Sequence, residues 1–385
     1  MDYRTNVRAI RALADGPEAF WAAVQDTPGF DGRSFGEFAT RHLLSSWIAP
    51  LLEDERLREL VPADLLEELV KRYASARRRN IAMMDVSKRL ATRLDDAGIE
   101  SLFMKGLIFA ERYYGDVHRR HQMDVDVLVR PAALDAALAV IGASGFDTSI
   151  DQASGKPMQE RLQRIRRPGR HRVPHAVAVG GGEVGVDLHW CLRSRALTRR
   201  QEEGIWSSRT RTSLAGTPLH TLSDEHTLMF LLLSIGSDVK RGALRVKQFL
   251  DLYLLLRARE HEIDWKAFFA RRADEGLLRI CVNVLAILLL VWNSREEFPA
   301  LAQALEERRR LVELRDEAEA VALLERPRGN AENHLWRRRV LPSSRWVGLA
   351  LRLTIDLPHT LSGLGPAGHF RGRLAAEPYT PRKAR

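Results

Sequence analysis

The chain has 385 residues, a formal net charge of +10 and a 45% hydrophobic fraction. That length allows one large domain or two to three modest ones at ~100–200 residues each, and the hydrophobic fraction argues against a disordered chain. The excess of Lys and Arg suits a polyanionic partner (nucleotide, nucleic acid or anionic membrane surface) without choosing among them. Cys191 and Cys281 are far apart, with no Cys/His cluster to suggest zinc, so both read as free thiols in a reducing cytoplasm. Met1-Asp2-Tyr3-Arg4 lacks the apolar run of a signal peptide. The most apolar segment, 280–292, is shorter than the ~20 residues of a membrane span and reads as a core helix. The expectation is a cytoplasmic protein with no membrane span.

Residues 1–60 look helical and mixed in polarity, with turns at Gly16-Pro17 and Pro28-Gly29. Pro62 opens a long helical pattern through Leu65, Leu66, Leu69, Val70 and Tyr73, ending at Gly98, a glycine suited to the position after a helix. Within it, Arg77-Arg78-Arg79 reads as a solvated face, with phosphate contact as the alternative. Residues 99–105 form a first strand and 107–114 the helix after it, closed by Gly115-Asp116. Asp124 to Val129 is a second strand, and Pro131 to Gly142 a helix. An Arg-rich stretch follows, with Lys156, Arg161, Arg164, Arg166, Arg167, Arg170, His171 and Arg172. Residues 173–179 and 183–190 read as a hairpin. From Leu222 the pattern is helical throughout: a helix capped at Ser223-Asp224-Glu225, then 246–256, 265–270, 277–292 and a charged amphipathic helix over 301–322. Residues 323–385 are Arg- and Pro-rich, with one helical patch at 346–355.

The second strand carries the chemistry. Asp124 and Asp126 stand at i and i+2, so both project from one face, roughly 7 Å apart at a rise of ~3.3 Å per residue. Two buried carboxylates side by side repel each other, and a divalent cation between them removes that cost; Mg²⁺ takes hard oxygen ligands of this kind. On these two residues alone, a pair of surface aspartates at a strand end is the better reading. Their neighbours reverse it: Met104-Lys105-Gly106 closes the strand before, and Asp187-Leu188-His189-Trp190 closes a strand after, with a third acid.

This order of Lys-Gly turn, Arg120, Asp124-Val125-Asp126-Val127-Leu128-Val129, Gly145-Phe146 and Asp187-Leu188-His189-Trp190 resembles the bacterial family of uncharacterised nucleotidyltransferases, within the DNA polymerase β-like superfamily. The resemblance covers about residues 80–290. It implies an α+β fold: a small mixed β-sheet with flanking helices and a C-terminal helical domain. The expected division is an N-terminal helical region (1–98), a catalytic core (99–220), a helical domain (221–325) and a basic tail (326–385).

The resemblance further implies transfer of a nucleoside monophosphate from NTP, ATP foremost, with Mg²⁺ or Mn²⁺ clamping the attacking and leaving oxygens. Asp124 and Asp126 would bind both metals. Asp187 would bind the metal nearer the acceptor and accept the acceptor's proton. Lys105 and Gly106 would meet the triphosphate, although Leu107 stands where the superfamily has a second small residue. Arg120 would pair with phosphate or hold Asp126, with Arg119 an equal rival. Lys240 and Lys247 would close over the phosphates from the helical domain, a solvated basic face being the alternative. His189 would orient a carboxylate, bind substrate or serve a structural hydrogen bond. Trp190, Tyr113 and Tyr114 are expected to pack, Trp190 between sheet and helical domain. The expected acceptor is a small molecule or peptide. Nucleic acid is less favoured, because aromatic residues are few and are not interleaved with the basic patches. The alternatives are toxin-like nucleotidylation of a protein or tRNA, and an inactive basic interaction module.

Overall fold

The computed structural model describes residues 3–166, 176–181, 184–192, 199–241, 244–313, 317–318 and 320–321. The first helices are α1 (Tyr3–Ala12), α2 (Pro17–Gln25), α3 (Gly32–Arg41) and α4 (Glu55–Leu60). They lead into α5 (Ala63–Asp96), a helix of 34 residues. Its end matches the glycine signal: Gly98 has φ 67°. The Gly98 and Ile99 amides donate to the Asp95 and Leu94 carbonyls, so otherwise orphaned carbonyls are satisfied.

Strand β1 (Ser101–Met104), helix α6 (Gly106–Tyr113), strand β2 (Asp124–Val129) and helix α7 (Leu134–Ala143) follow. Next come β3 (Ile150–Asp151), β4 (Lys156–Pro157), α8 (Met158–Arg166), β5 (Ala176–Gly181), β6 (Val184–His189) and α9 (Arg199–Ser207). A hairpin, β7 (Thr210–Leu214) and β8 (Thr217–Thr221), precedes α10 (Asp224–Arg241), α11 (Val246–Arg259), α12 (Trp265–Asp274), α13 (Leu278–Val291) and α14 (Pro299–Glu306). No helix among the described residues is long and apolar enough to cross a membrane.

The central sheet is mixed and has the order β1-β2-β6-β5. Strands β1 and β2 are antiparallel, β2 and β6 parallel, and β6 and β5 antiparallel. Period-two alternation splits its residues between two cores. Phe103, Val125, Val127, Val129, Val186 and Leu188 pack with Met83, Val86, Leu90 and Leu94 of α5 and with α7. On the other face, Leu102, Met104 and Leu128 join a larger core built from α1–α3, α10, α11 and α13. The N-terminal helices and the helices after residue 222 thus share one apolar interior, and the aspartate face of β2 looks toward it.

Several sequence expectations need correction. The stretch from 147 contains two short strands and α8, and residues 199–221 contain α9 and the β7–β8 hairpin, neither of which was expected. The hairpin turn has left-handed φ at Ala215 (45°) and Gly216 (84°), as a tight two-residue turn requires. Trp190 packs in the α5 core and not against the helical domain. The helix expected over 301–322 stops at Glu306. There the buried Asn283 side chain takes over, donating to Leu311 O at 2.9 Å and accepting from the Glu313 amide at 2.9 Å. Cys281 is buried and Cys191 only partly so, both as free thiols. The later part of the expected 301–322 helix, residues 167–172, and residues 323–385 with the 346–355 patch lie wholly or largely outside the described residues.

Candidate active site

The parallel register of β2 on β6 sets Asp126 beside Asp187. Asp124 lies on the same face, beside Gly185, so no β6 side chain covers it. His189, two residues beyond Asp187, shares that face as well. All three carboxylates and the histidine therefore converge as the spacing predicts.

Asp126 is 3% exposed. Its Oδ1 accepts from Lys105 Nζ at 2.8 Å and meets His189 Nε2 at 2.9 Å. Burial pushes its pKa up, but the Lys105 ammonium and His189 outweigh burial and hold it well below the usual carboxylate range. Asp124 moves the other way, raised by burial and then by Asp126. Asp187 is pushed up to about 7 by burial, then by Asp124 and Asp126. Two of the three carboxylates are lifted despite the Lys105 ammonium beside them, which marks a site short of positive charge. Among the described residues, Asp126, Asp187 and His189 also offer ligand atoms within 4.8 Å of one another. Hard oxygen donors with one imidazole fit Mg²⁺ or Mn²⁺.

Lys105 sits at the turn between β1 and α6, in an unusual backbone state. Its φ is 46° and that of Gly106 is 43°. The turn aims Lys105 inward, with Nζ 4.6 Å from the Phe230 ring centroid on α10. It is not a solvated strand end. A glycine next in the chain suits the left-handed φ, and α6 begins there, its first amides having no intrahelical acceptor.

Arg120 is buried and committed to α11. Its Nε and Nη2 reach both oxygens of Asp251 on α11 at 2.9 Å, a fork with fork geometry. Asp251 also accepts from Tyr114 Oη at 2.6 Å and lies 3.6 Å from Lys247 Nζ. The bidentate pair foreseen for phosphate or Asp126 is thus made with Asp251. Arg119 stacks on Trp47, its guanidinium carbon 4.2 Å from the ring centroid. Lys247 is pushed down to about 8, first by burial and then by Arg120. Its charge also lowers the pKa of Asp124, as the least of several contributions. Lys240 belongs to α10, but its side chain lies outside the described residues, as do those of Arg164 and Arg166. Arg161 pairs with the buried Asp151 at 2.7 Å.

The sequence assigned no role to Asp251, Asn80 or His121, and placed Arg79 on a solvated face with phosphate contact as the alternative. Asp251 is a lone acid in the apolar run Phe249-Leu250-Asp251-Leu252-Tyr253, and a buried acid needs a partner. Asn80 falls on the buried stripe of α5, where its amide holds the carbonyls of Val117 and Arg120 at 2.9 and 3.1 Å. His121 is pushed down to about 4 by burial, then by Lys247 and Arg79, and Arg79 reaches Met123 Sδ at 3.2 Å. A separate cleft of about 450 Å³, between the end of α5 and the β7–β8 hairpin, includes none of the three carboxylates.

Among solved structures, the antibiotic-resistance factor ANT(2'')-Ia matches with 11% identity over 60% of this chain and 98% of its own, at a TM-score of 0.33. An antigenic nucleotidyltransferase-like protein from Paracoccidioides brasiliensis matches with 18% identity over 58% of this chain and 92% of its own, at 0.32. No curated protein sequence matches. The family model for uncharacterised nucleotidyltransferases matches residues 28–293; the chain belongs to that family and is a nucleotidyltransferase.

Proposed function

We propose that the protein transfers a nucleoside monophosphate from an NTP, ATP foremost, to a small-molecule or peptide acceptor, with Mg²⁺ or Mn²⁺ held by Asp124, Asp126 and Asp187. The carrying observation is the convergence of these three side chains on one sheet face, two of them with raised pKa. The metal would supply charge stabilisation for the phosphoryl oxygens as they reorganise. Asp126 stays ionised and anchors the site. Asp187, pushed up to about 7, is suited to taking the acceptor's proton near neutral pH. Lys105 and the first amides of α6 face the phosphates from the β1–α6 turn, and Lys247 closes over them from α11. Arg120, through Asp251, fixes the distance between sheet and helical domain and so positions Lys247 against Asp124.

The test is incubation with each α-labelled NTP and a cell extract, followed by mass spectrometry for any species that gains a nucleoside monophosphate. Labelled small molecules or peptides are expected, and none with Asp124→Asn/Asp126→Asn. Label found only on tRNA or on a protein would overturn the acceptor class. Equal NTP affinity of wild type and that double variant, by calorimetry in Mg²⁺, would overturn the metal site.

A further inference from the structure

The Lys105–Asp126 contact has a consequence for how the site is loaded. Asp126 is almost fully buried, and one of its oxygens already serves two donors, Lys105 Nζ at 2.8 Å and His189 Nε2 at 2.9 Å. Lys105 therefore stands where positive charge is required and compensates the anchoring carboxylate itself. A divalent ion on Asp126 and an ammonium on the same carboxylate would be a few ångströms apart in a half-buried pocket, where like charges repel strongly. Both cannot stay.

We infer that Lys105 is a built-in counter-ion that blocks metal entry to the free enzyme and moves to the phosphates when nucleotide arrives, so that metal binds tightly only together with NTP. This rests on the metal-dependent reading above.

Three observations support movement over a fixed structural pair. The Lys105 side chain is 25% exposed while Asp126 is 3% exposed, so the lysine lies at the mouth of the pocket and its partner at the floor. Its other close contact is the Phe230 face, a cation–π contact at 4.6 Å, weaker than a charged hydrogen bond and no anchor against a polyphosphate. It also occupies the residue position just before α6, with no side-chain hydrogen bond to the helix, beside the amides an anionic ligand would use. A swing from Asp126 to phosphate trades one charge-assisted contact for another and leaves the carboxylate free for the ion. Loading metal without nucleotide would strand the ammonium with no anion. The lysine thereby couples the two ligands: each is bound more tightly when the other is present.

The experiment measures Mn²⁺ binding by electron paramagnetic resonance on the full chain, without nucleotide, for wild type and Lys105→Gln. The variant is expected to bind Mn²⁺ at least ~tenfold more tightly, since an internal competitor has been removed. Adding a nonhydrolysable ATP analogue should tighten Mn²⁺ binding strongly in wild type and much less in the variant. A second measurement needs no variant: reductive methylation followed by peptide mass spectrometry should show Lys105 protected in the free protein and labelled faster once Mn²⁺ is raised to a concentration that saturates the weak nucleotide-free site. Equal Mn²⁺ affinity of the two free proteins, with Lys105 labelling unchanged by metal, would overturn the inference and leave the metal site standing. Mn²⁺ binding to neither protein, with or without the analogue, would overturn the metal reading and the inference with it.

Discussion

Asp251→Ala is the sharpest perturbation the structure offers outside the carboxylate triad. Asp251 is 2% exposed. It accepts both prongs of Arg120 at 2.9 Å, accepts from the Tyr114 hydroxyl at 2.6 Å and faces Lys247 at 3.6 Å. Removing it leaves the Arg120 guanidinium, 7% exposed, without its carboxylate. Breaking a buried pair from one side costs about 3–5 kcal/mol, because the remaining charge stays desolvated. The orphaned Tyr114 hydroxyl adds about 1 kcal/mol. Lys247 adds little, since its pKa, already pushed down to about 8, lets it shed its charge. A loss of about 4–6 kcal/mol is a large share of the ~5–15 kcal/mol that holds a typical domain folded.

Urea unfolding followed by circular dichroism measures the loss as a fall in midpoint. The double variant Arg120→Met/Asp251→Leu should recover much of it, because an apolar pair replaces the uncompensated charge. Asp251 has a lowered folded-state pKa, with burial opposing the shift and Arg120 and Lys247 producing it. Its contribution is therefore full above the unfolded carboxylate value of ~3.9, and it is lost as pH falls through the lower folded value, so the acid limb of stability should be shallower in Asp251→Ala. A loss under ~1 kcal/mol, or a double variant no more stable than the single, would refute the buried-pair reasoning.

Three further outcomes follow from the same geometry. Asp187, pushed up to about 7, keeps a proton that the unfolded chain loses near ~3.9, so it withdraws stability as pH rises from ~4 to about 7; a bound divalent ion relieves this, and the rise in melting temperature on adding Mg²⁺ to protein already holding a nonhydrolysable ATP analogue should be larger at pH 8 than at pH 5.5, with equal rises counting against Asp187 as a ligand. His189→Gln removes the imidazole that meets Asp126 at 2.9 Å and should weaken Mn²⁺ binding about 10–100-fold in the presence of nucleotide, by electron paramagnetic resonance. Gly106→Ala forces a side chain onto φ 43°, although its Cβ would meet only ordinary contacts, the nearest being Asp124 O at 3.6 Å; strain of about 1–2 kcal/mol should appear as a lowered unfolding midpoint, and no change in stability would refute the strained-turn account.

Local pattern carried much of this protein in the sequence itself. The strands β1 and β2, the long helix α5 with its Gly98 terminus, and the shared face of Asp124 and Asp126 were legible because each depends on a short-range rule: alternation on a strand, 3.6-residue periodicity, and a glycine where φ must be positive; Asp187 was joined to that pair only through the family resemblance. His189 stands on the face of Asp187 by the same alternation. The helices α8 and α9 and the β7–β8 hairpin escaped notice, although Ala215-Gly216 between alternating residues was an available turn signal.

What the sequence left open were partners. Arg119 and Arg120 are adjacent and equivalent on paper; the fold sends one onto the Trp47 ring and the other onto Asp251, 131 residues away. Trp190 could have packed to either side, and the strand's facing chose α5. Lys105 could end a strand in water, and the turn instead turns it onto Asp126. A carboxylate's pairing and pKa depend on which charges lie within a few ångströms after folding, and on how much water is removed around them. Neither quantity has a local sequence signature, so the strand faces that carry the candidate residues were readable from the chain while their electrostatic wiring was decided only by the tertiary structure.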